Sequence, residues 1–253
     1  MKNILISAFI LLPSVLFSQQ KKTFISRTTQ EAGVSFNSNR NLYALALTGI
    51  QYWGVGKRKK NLKFGLGARF TSSFGSNKLE YITAPAILTS GKTGPSVFFA
   101  EQITQNIDTL SLNATQVNAL NAYLALRHDF AQKWGIEFNI DLIGLSFGGN
   151  KEGKLVYGDG NQSLRNSKAK PTAFNALLIS DNDLGSLNSA LMLSYKIKPQ
   201  IKILAGASFL FNEYTIESPV TYTNSIGTKV NTDRYRTKQL LFGIGANYVF
   251  NHK

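Results

Sequence analysis

Thr237–Phe250 reads TKQLLFGIGANYVF. Its even positions, Leu240, Phe242, Ile244, Ala246, Tyr248 and Phe250, form an unbroken apolar row. Its odd positions, Thr237, Gln239, Leu241, Gly243, Gly245, Asn247 and Val249, are mostly small or polar. A period of two marks a β strand with one apolar and one mixed face. Tyr248 and Phe250, close to the chain end, make this the candidate closing strand, with the apolar row turned to lipid.

Seven earlier segments share this grammar. They cover about 30–37, 41–54, 61–74, 118–130, 135–147, 188–198 and 201–214. The third carries Leu62, Phe64, Leu66, Ala68, Phe70 and Phe74 on one face, and the fifth carries Ile136, Phe138, Ile140 and Leu142. After a tight first turn at 38–40, connections alternate between short turns and longer stretches at 75–117, 148–187 and 215–236. Short turns opposite long loops, with an even strand number, predict an outer-membrane barrel with both termini periplasmic. Trp53, Phe64, Phe130, Trp134, Tyr195 and Tyr248 fall near the short-turn side. Phe36, Phe70, Phe74, Phe147, Phe211 and Tyr214 fall near the other, so two aromatic girdles are expected.

The front of the chain agrees. Lys2 is followed by an apolar stretch, Ile4 to Phe17, then by Ser18 and the polar run Gln19-Gln20-Lys21-Lys22. This is the layout of a cleaved signal peptide at 1–18, and it is too short for a spanning helix. Residues 19–253 are then one domain, since barrels of this length run undivided. There is no cysteine, which excludes disulfides and thiolate metal sites. The formal net charge is +14, from 28 basic and 14 acidic residues. After a signal peptide that charge points to acidic lipid or glycan rather than to nucleic acid.

The expected fold is therefore all-β: an eight-stranded antiparallel up-and-down transmembrane barrel with short periplasmic turns and long extracellular loops. The Gln19-Gln20 start and the strand pattern together resemble small outer-membrane barrel proteins of the Bacteroidetes type. The resemblance implies insertion by the barrel-assembly machinery at a closing strand ending in Tyr248 and Phe250. It also implies the outer membrane of a Gram-negative bacterium as location. The competing fold is a secreted lipocalin-like barrel with its apolar faces inward. Its outer face would then be rich in Gly, Ala and Ser and carry Leu204 and Leu210, a poor solvated surface.

Opposite the apolar rows lie Arg69, Arg127, Asp129, Glu137, Asp141 and Lys202, with Lys63, Lys196 and Lys238. They form either a proton path or ligand site, or a paired ionic core. The interior of an eight-stranded barrel is only wide enough for its side chains, and buried charge persists only when paired, which favours the core. Inward Gly65, Gly67, Gly206, Gly243 and Gly245 are expected to make room for the long charged side chains.

No catalytic, cofactor or metal set emerges. Ala86–Thr93, AILTSGKT, resembles a relaxed phosphate loop but lacks the first glycine and precedes Gly94-Pro95. His128 has lipid-facing parity and His252 lies in the tail, so neither meets a serine and a carboxylate. The long stretches are the better candidates. Lys151, Lys154, Arg165, Lys168 and Lys170 are candidate contacts for lipopolysaccharide or acidic glycan. Lys57, Arg58, Lys59 and Lys60 form a wet periplasmic turn. Asp108-Thr109-Leu110 fits a short O-glycosylation pattern at Thr109. The expectation is a structural or surface-binding barrel without enzymatic activity. The alternatives are a narrow channel or transport accessory, and a membrane-embedded lipid-modifying enzyme.

Overall fold

The computed structural model describes residues 28–55, 61–76, 79–92, 101–158, 164–178, 183–223 and 227–250. The expected signal segment, the 57–60 turn, Thr93 and His252 lie outside them. In chain order the elements are β1 (Thr28–Ser38), β2 (Leu42–Val55), β3 (Leu62–Gly75), β4 (Glu80–Thr83) and α1 (Ala86–Ser90). There follow β5 (Thr109–Leu112), β6 (Thr115–His128), β7 (Trp134–Phe147), β8 (Lys151–Val156), β9 (Leu164–Pro171) and β10 (Phe174–Ala176). β11 (Leu187–Lys198), β12 (Ile201–Thr223) and β13 (Lys229–Phe250) complete the chain.

Among the described residues the strands form one antiparallel sheet of thirteen, not the eight expected. The sheet closes on itself twice. A large ring runs β1–β2–β3–β6–β7–β11–β12–β13 and returns to β1, where Val34 faces Ala246. A small ring runs β12–β9–β8–β5–β4–β13 and closes through the upper parts of β12 and β13. β10 adds a three-residue flap to the upper end of β7. The stretches read as long loops thus hold β4, β5, β8, β9, β10 and the upper ends of β12 and β13. The physical reason is edge satisfaction: short strands are marginal alone, but a closed ring leaves no unpaired backbone row.

The long strands show why the rings stack. Along β12, Ile201, Ile203, Ala205, Ala207, Phe209 and Phe211 point outward, and Lys202, Leu204, Ser208 and Leu210 point inward. Above Phe211 the polarity inverts. Tyr214 and Ile216 point inward into an apolar core, while Glu213 and Thr215 take the outer parity. Tyr214 is therefore a buried core residue of the small ring, not a girdle residue; it packs edge-on against Tyr81. Several of the other expected aromatics pair near the strand ends. Trp53 stacks with Phe64 and Trp134 meets Tyr195 at the short-turn end, and Tyr43–Phe74 and Phe70–Phe147 stack at the other.

One expected row is out of phase. A bulge in β7 falls between Asp141, opposite Tyr123, and Ile143, opposite Ala122. Leu142 is the extra residue, so the upper outward row is Ile143, Leu145 and Phe147. A bulge puts two residues opposite one and shifts every later side chain by one face.

Candidate functional site

The lumen of the large ring is filled by charge. Arg127 donates to Asp129 Oδ1 at 2.7 Å and approaches Glu31 Oε1 at 3.3 Å. Lys202 also pairs with Glu31, whose other oxygen accepts from Asn247 at 3.2 Å. Lys63 reaches Asp129 at 3.0 Å from the turn end, and Lys196 lies 3.9 Å from it. Above this, Glu137 accepts from the Tyr52 hydroxyl at 2.6 Å and from Asn139 at 3.2 Å. Higher still, Asp141 is 3.3 Å from Arg69 and accepts from Asn121 and the Asn188 amide at 2.8 and 2.9 Å. Arg69 also donates to Asn139 and lies 4.6 Å over the Tyr123 ring.

All six expected lumen residues thus point inward and are buried or nearly so, in three linked groups rather than one. Asp141 joins Arg69, whereas Glu137 joins Tyr52 instead of an arginine. The hub that sequence reasoning missed is Glu31. It sits on β1 opposite Ile50 and Val249 and neutralises both Arg127 and Lys202. Its parity, alternating with Val34 and Phe36 across one residue step, was a sufficient signal. The glycines serve a different purpose from the one expected. A Cβ on Gly65 would strike the Tyr52 ring at 2.8 Å, and one on Gly67 would strike Tyr123 at 2.7 Å. Ring space, not room for charge, explains these two.

Above the charges the lumen turns apolar. Leu42, Leu79, Tyr81, Leu110, Leu155 and Tyr214 are fully buried in a core that continues from the barrel mouth through the small ring. The space between Thr71, Asn121, Asp141 and Leu210 has no room for a free water molecule. Among the described residues, ion pairs thus fill the lower lumen and a buried apolar cluster fills the upper end.

The small ring carries its own polar joints. Tyr222 donates to Asp108 at 2.6 Å and lies 2.9 Å from the Tyr235 hydroxyl, while Asp108 also accepts from the Gly158 amide at 2.9 Å. Burial pushes the Tyr222 hydroxyl well above its ordinary range, and its bond to Asp108 adds to this; burial does the same to Tyr235. On the outer parity of β12 and β13, Glu213 is clasped by two guanidiniums. Arg234 binds both of its oxygens at 2.8 Å and Arg236 binds Oε2 at 2.7 Å. The segment before β11 covers this cluster: the Asp183 carbonyl accepts from both arginines, and the Gly185 amide donates to Glu213. None of these three residues stood out in sequence, because Glu213 lay at the end of the expected seventh strand while Arg234 and Arg236 lay in an assumed loop, where no partner was visible.

The five candidate glycan contacts divide. Lys154, Lys168 and Lys170 are exposed on one outer wall of the β8–β9 hairpin. Arg165 has inward parity and donates to Tyr157 and to the Ser218 carbonyl, and Lys151 is half-buried. Thr109 is half-buried within β5 between buried Asp108 and Leu110, so its triplet is held in the sheet. Ala86–Ser90 is itself a helix whose amides bond internally, as Thr89 and Leu88 do to Pro85. Those amides cannot cradle a phosphate. His128 is exposed on the outer face at the turn end of β6. Among the described residues no group of three potential metal ligands occurs.

No family model and no curated protein matches the chain. Solved structures give distant likenesses. Neisserial surface protein A is 10% identical over 88% of this chain and 96% of that one, with a TM-score of 0.34. The attachment invasion locus protein Ail of Yersinia pestis, in complex with the heparin analogue sucrose octasulfate, is 9% identical over 88% and 97%, at 0.31. A major outer membrane protein of Thermus thermophilus is 10% identical over 89% and 100%, at 0.39. None lends support to the Bacteroidetes type, and likeness at this level fixes no function.

Proposed function

We propose that this chain is an integral outer-membrane barrel, closed to ions, that presents a small basic-walled extracellular barrel to anionic glycan. One observation carries the membrane placement: the large ring turns its apolar residues outward all the way round. Phe242 and Ile244 are 64% and 68% exposed, and Leu47, Leu126, Phe138, Leu145, Leu191 and Ile203 join them on the other strands. A soluble monomer rarely leaves a contiguous apolar patch larger than a few hundred square ångströms. From Ile201 to Phe211, at ~3.3 Å per residue and a tilt of about 40°, the row rises about 25 Å, the height of the apolar band of such barrels.

We place the outer leaflet on the side of the small ring, since the turns joining β6 to β7 and β11 to β12 lie at the opposite end and only the tight 38–40 turn shares the small-ring side. Lys154, Lys168 and Lys170 then stand outside the membrane, interrupted on that wall by Glu152. Lysines in this setting attract phosphate and carboxylate groups, with strong salt dependence. Among the described residues, ion pairs and apolar side chains fill the lumen, which argues against conduction.

Two measurements test the reading. The chain should fractionate with outer membranes and migrate faster in unheated than in heated gel samples. Recovery as a detergent-independent soluble protein would sink the membrane placement. The intact protein should also be retained on a heparin column and lose retention as Lys154→Glu/Lys168→Glu. Equal elution of both proteins would remove the glycan role while leaving the barrel intact.

A further inference from the structure

The outer face of β11, β12 and β13 has the form of an amphiphile site. An open groove of about 820 Å³ lies there, lined by Leu191, Leu193, Ala205, Ala207, Phe242 and Ile244. The small residues of β12 form its floor, and the larger ones on β11 and β13 form its walls. That volume lies within the range of clefts that hold small ligands, about 300–1,000 Å³.

Directly above the groove, on the same strands, the charge is positive. Phe211 faces Lys238 across β12 and β13, four residues above Ala207, or about 13 Å along the strand. Lys238, expected in the lumen, instead shares the outward parity of Leu240 and Phe242; it lies 5.5 Å over the Phe211 ring and is exposed. Two residues higher, Glu213 is shared by Arg234 and Arg236, so one carboxylate faces two guanidiniums. In the next outward row Thr215 faces Lys170 on one side and Arg234 on the other. Lys170 and Arg234 are two strand spacings apart, about 10 Å. Cations thus lie at two heights and across three strands, immediately above the last apolar rung.

We propose that this face binds lipid A, the phosphorylated acyl anchor of lipopolysaccharide, with phosphates at the exposed Lys238 and Lys170, beside the Arg234–Glu213 pair, and one acyl chain in the groove. The inference rests on the membrane placement above. Charge complementarity selects an anionic lipid over a zwitterionic one, and the spread of the cations selects a headgroup with more than one phosphate. The extracellular end of the barrel is where that lipid resides. The site shares only Lys170 with the basic wall, whose Lys154 and Lys168 face glycan further out.

The full chain in detergent, mixed with diphosphorylated lipid A and measured by native mass spectrometry, tests the site. One lipid A should be retained per barrel. Lys238→Glu should lower retention about tenfold, and so should Ala207→Trp, which fills the groove without changing charge. Monophosphorylated lipid A and phosphatidylglycerol should each be retained less. Equal retention of phosphatidylglycerol, or unchanged retention in both variants, overturns the proposal. A barrel that is heat-modifiable but retains no lipid A refutes this site alone, whereas a chain soluble without detergent refutes the membrane placement itself.

Discussion

The two rings are built from one sheet with opposite polarity. The large ring is apolar outside and ionic inside; the small ring is polar outside and apolar inside. β12 and β13 run through both, and their alternation changes sense just above Phe211. Lys202 and Tyr214 have the same inward parity on the same strand, yet one sits in an ion network and the other in a dry core. The pleat dictates only that faces alternate. What surrounds the sheet decides which face must be apolar: on the proposed placement, hydrocarbon around the large ring leaves polarity to the lumen, and water around the small one reverses it.

The contrast can be broken from either side. The largest effect is expected at Arg127, since Arg127→Ala leaves Glu31 and Asp129 short of a buried partner. A cost of about 3–5 kcal/mol is expected for the whole barrel by urea unfolding in lipid. A loss under about 1 kcal/mol would mean that the interior is hydrated rather than held by pairing. Leu155→Ala removes a fully buried side chain from the small ring, at about 2–5 kcal/mol. Its expected signature is local: protease cuts within 79–112 and 151–176 while gel migration of the large ring is unchanged. Simultaneous loss of both rings would show that they unfold as one unit.

Smaller changes sharpen the comparison. Tyr222→Phe removes the donor to Asp108 and should cost about 1–3 kcal/mol, again only in the small ring. The same tyrosines give a pH dependence. Folded Tyr222 and Tyr235 are held neutral by burial, so their folded pKa values lie above the unfolded value of about 10. Their contribution is intact below about pH 10 and is lost as pH rises above it, because the unfolded chain then releases protons first. Amide exchange in the small ring should accelerate above pH 10 before the large ring responds, and simultaneous acceleration would count against the tyrosine joint. The smallest effect is expected for Lys154→Glu/Lys168→Glu, at under about 0.5 kcal/mol of stability, with glycan retention as the only readout.

The large ring was legible because its eight strands each carry a row of apolar residues one step apart, as Phe242, Ile244 and Ala246 do. Even its bulge left a trace: the apolar phase in Phe138-Asn139-Ile140-Asp141-Leu142-Ile143-Gly144-Leu145 slips at the Leu142-Ile143 pair. The small ring was not legible. Glu80–Thr83, EYIT, and Thr109–Leu112, TLSL, are four residues long, too short to show a period. Each becomes a strand through partners far away in sequence, as Ile82 does opposite Arg236. The lumen charges were readable as a group by parity, but not their pairing. Whether Asp141 meets Arg69 or Arg127 depends on stagger around a closed barrel, which no local pattern records.

The shared β12–β13 pair has a consequence for the order of assembly. β4 and β9 reach the small ring only by pairing with the upper ends of β13 and β12, which come last in the chain. The small ring cannot shut until the upper ends of β12 and β13 are in place. Once shut, it is a knot of folded, charged-walled structure too wide and too polar to be drawn back through hydrocarbon. On the proposed membrane placement, closure of the small ring therefore bars the strands from slipping back.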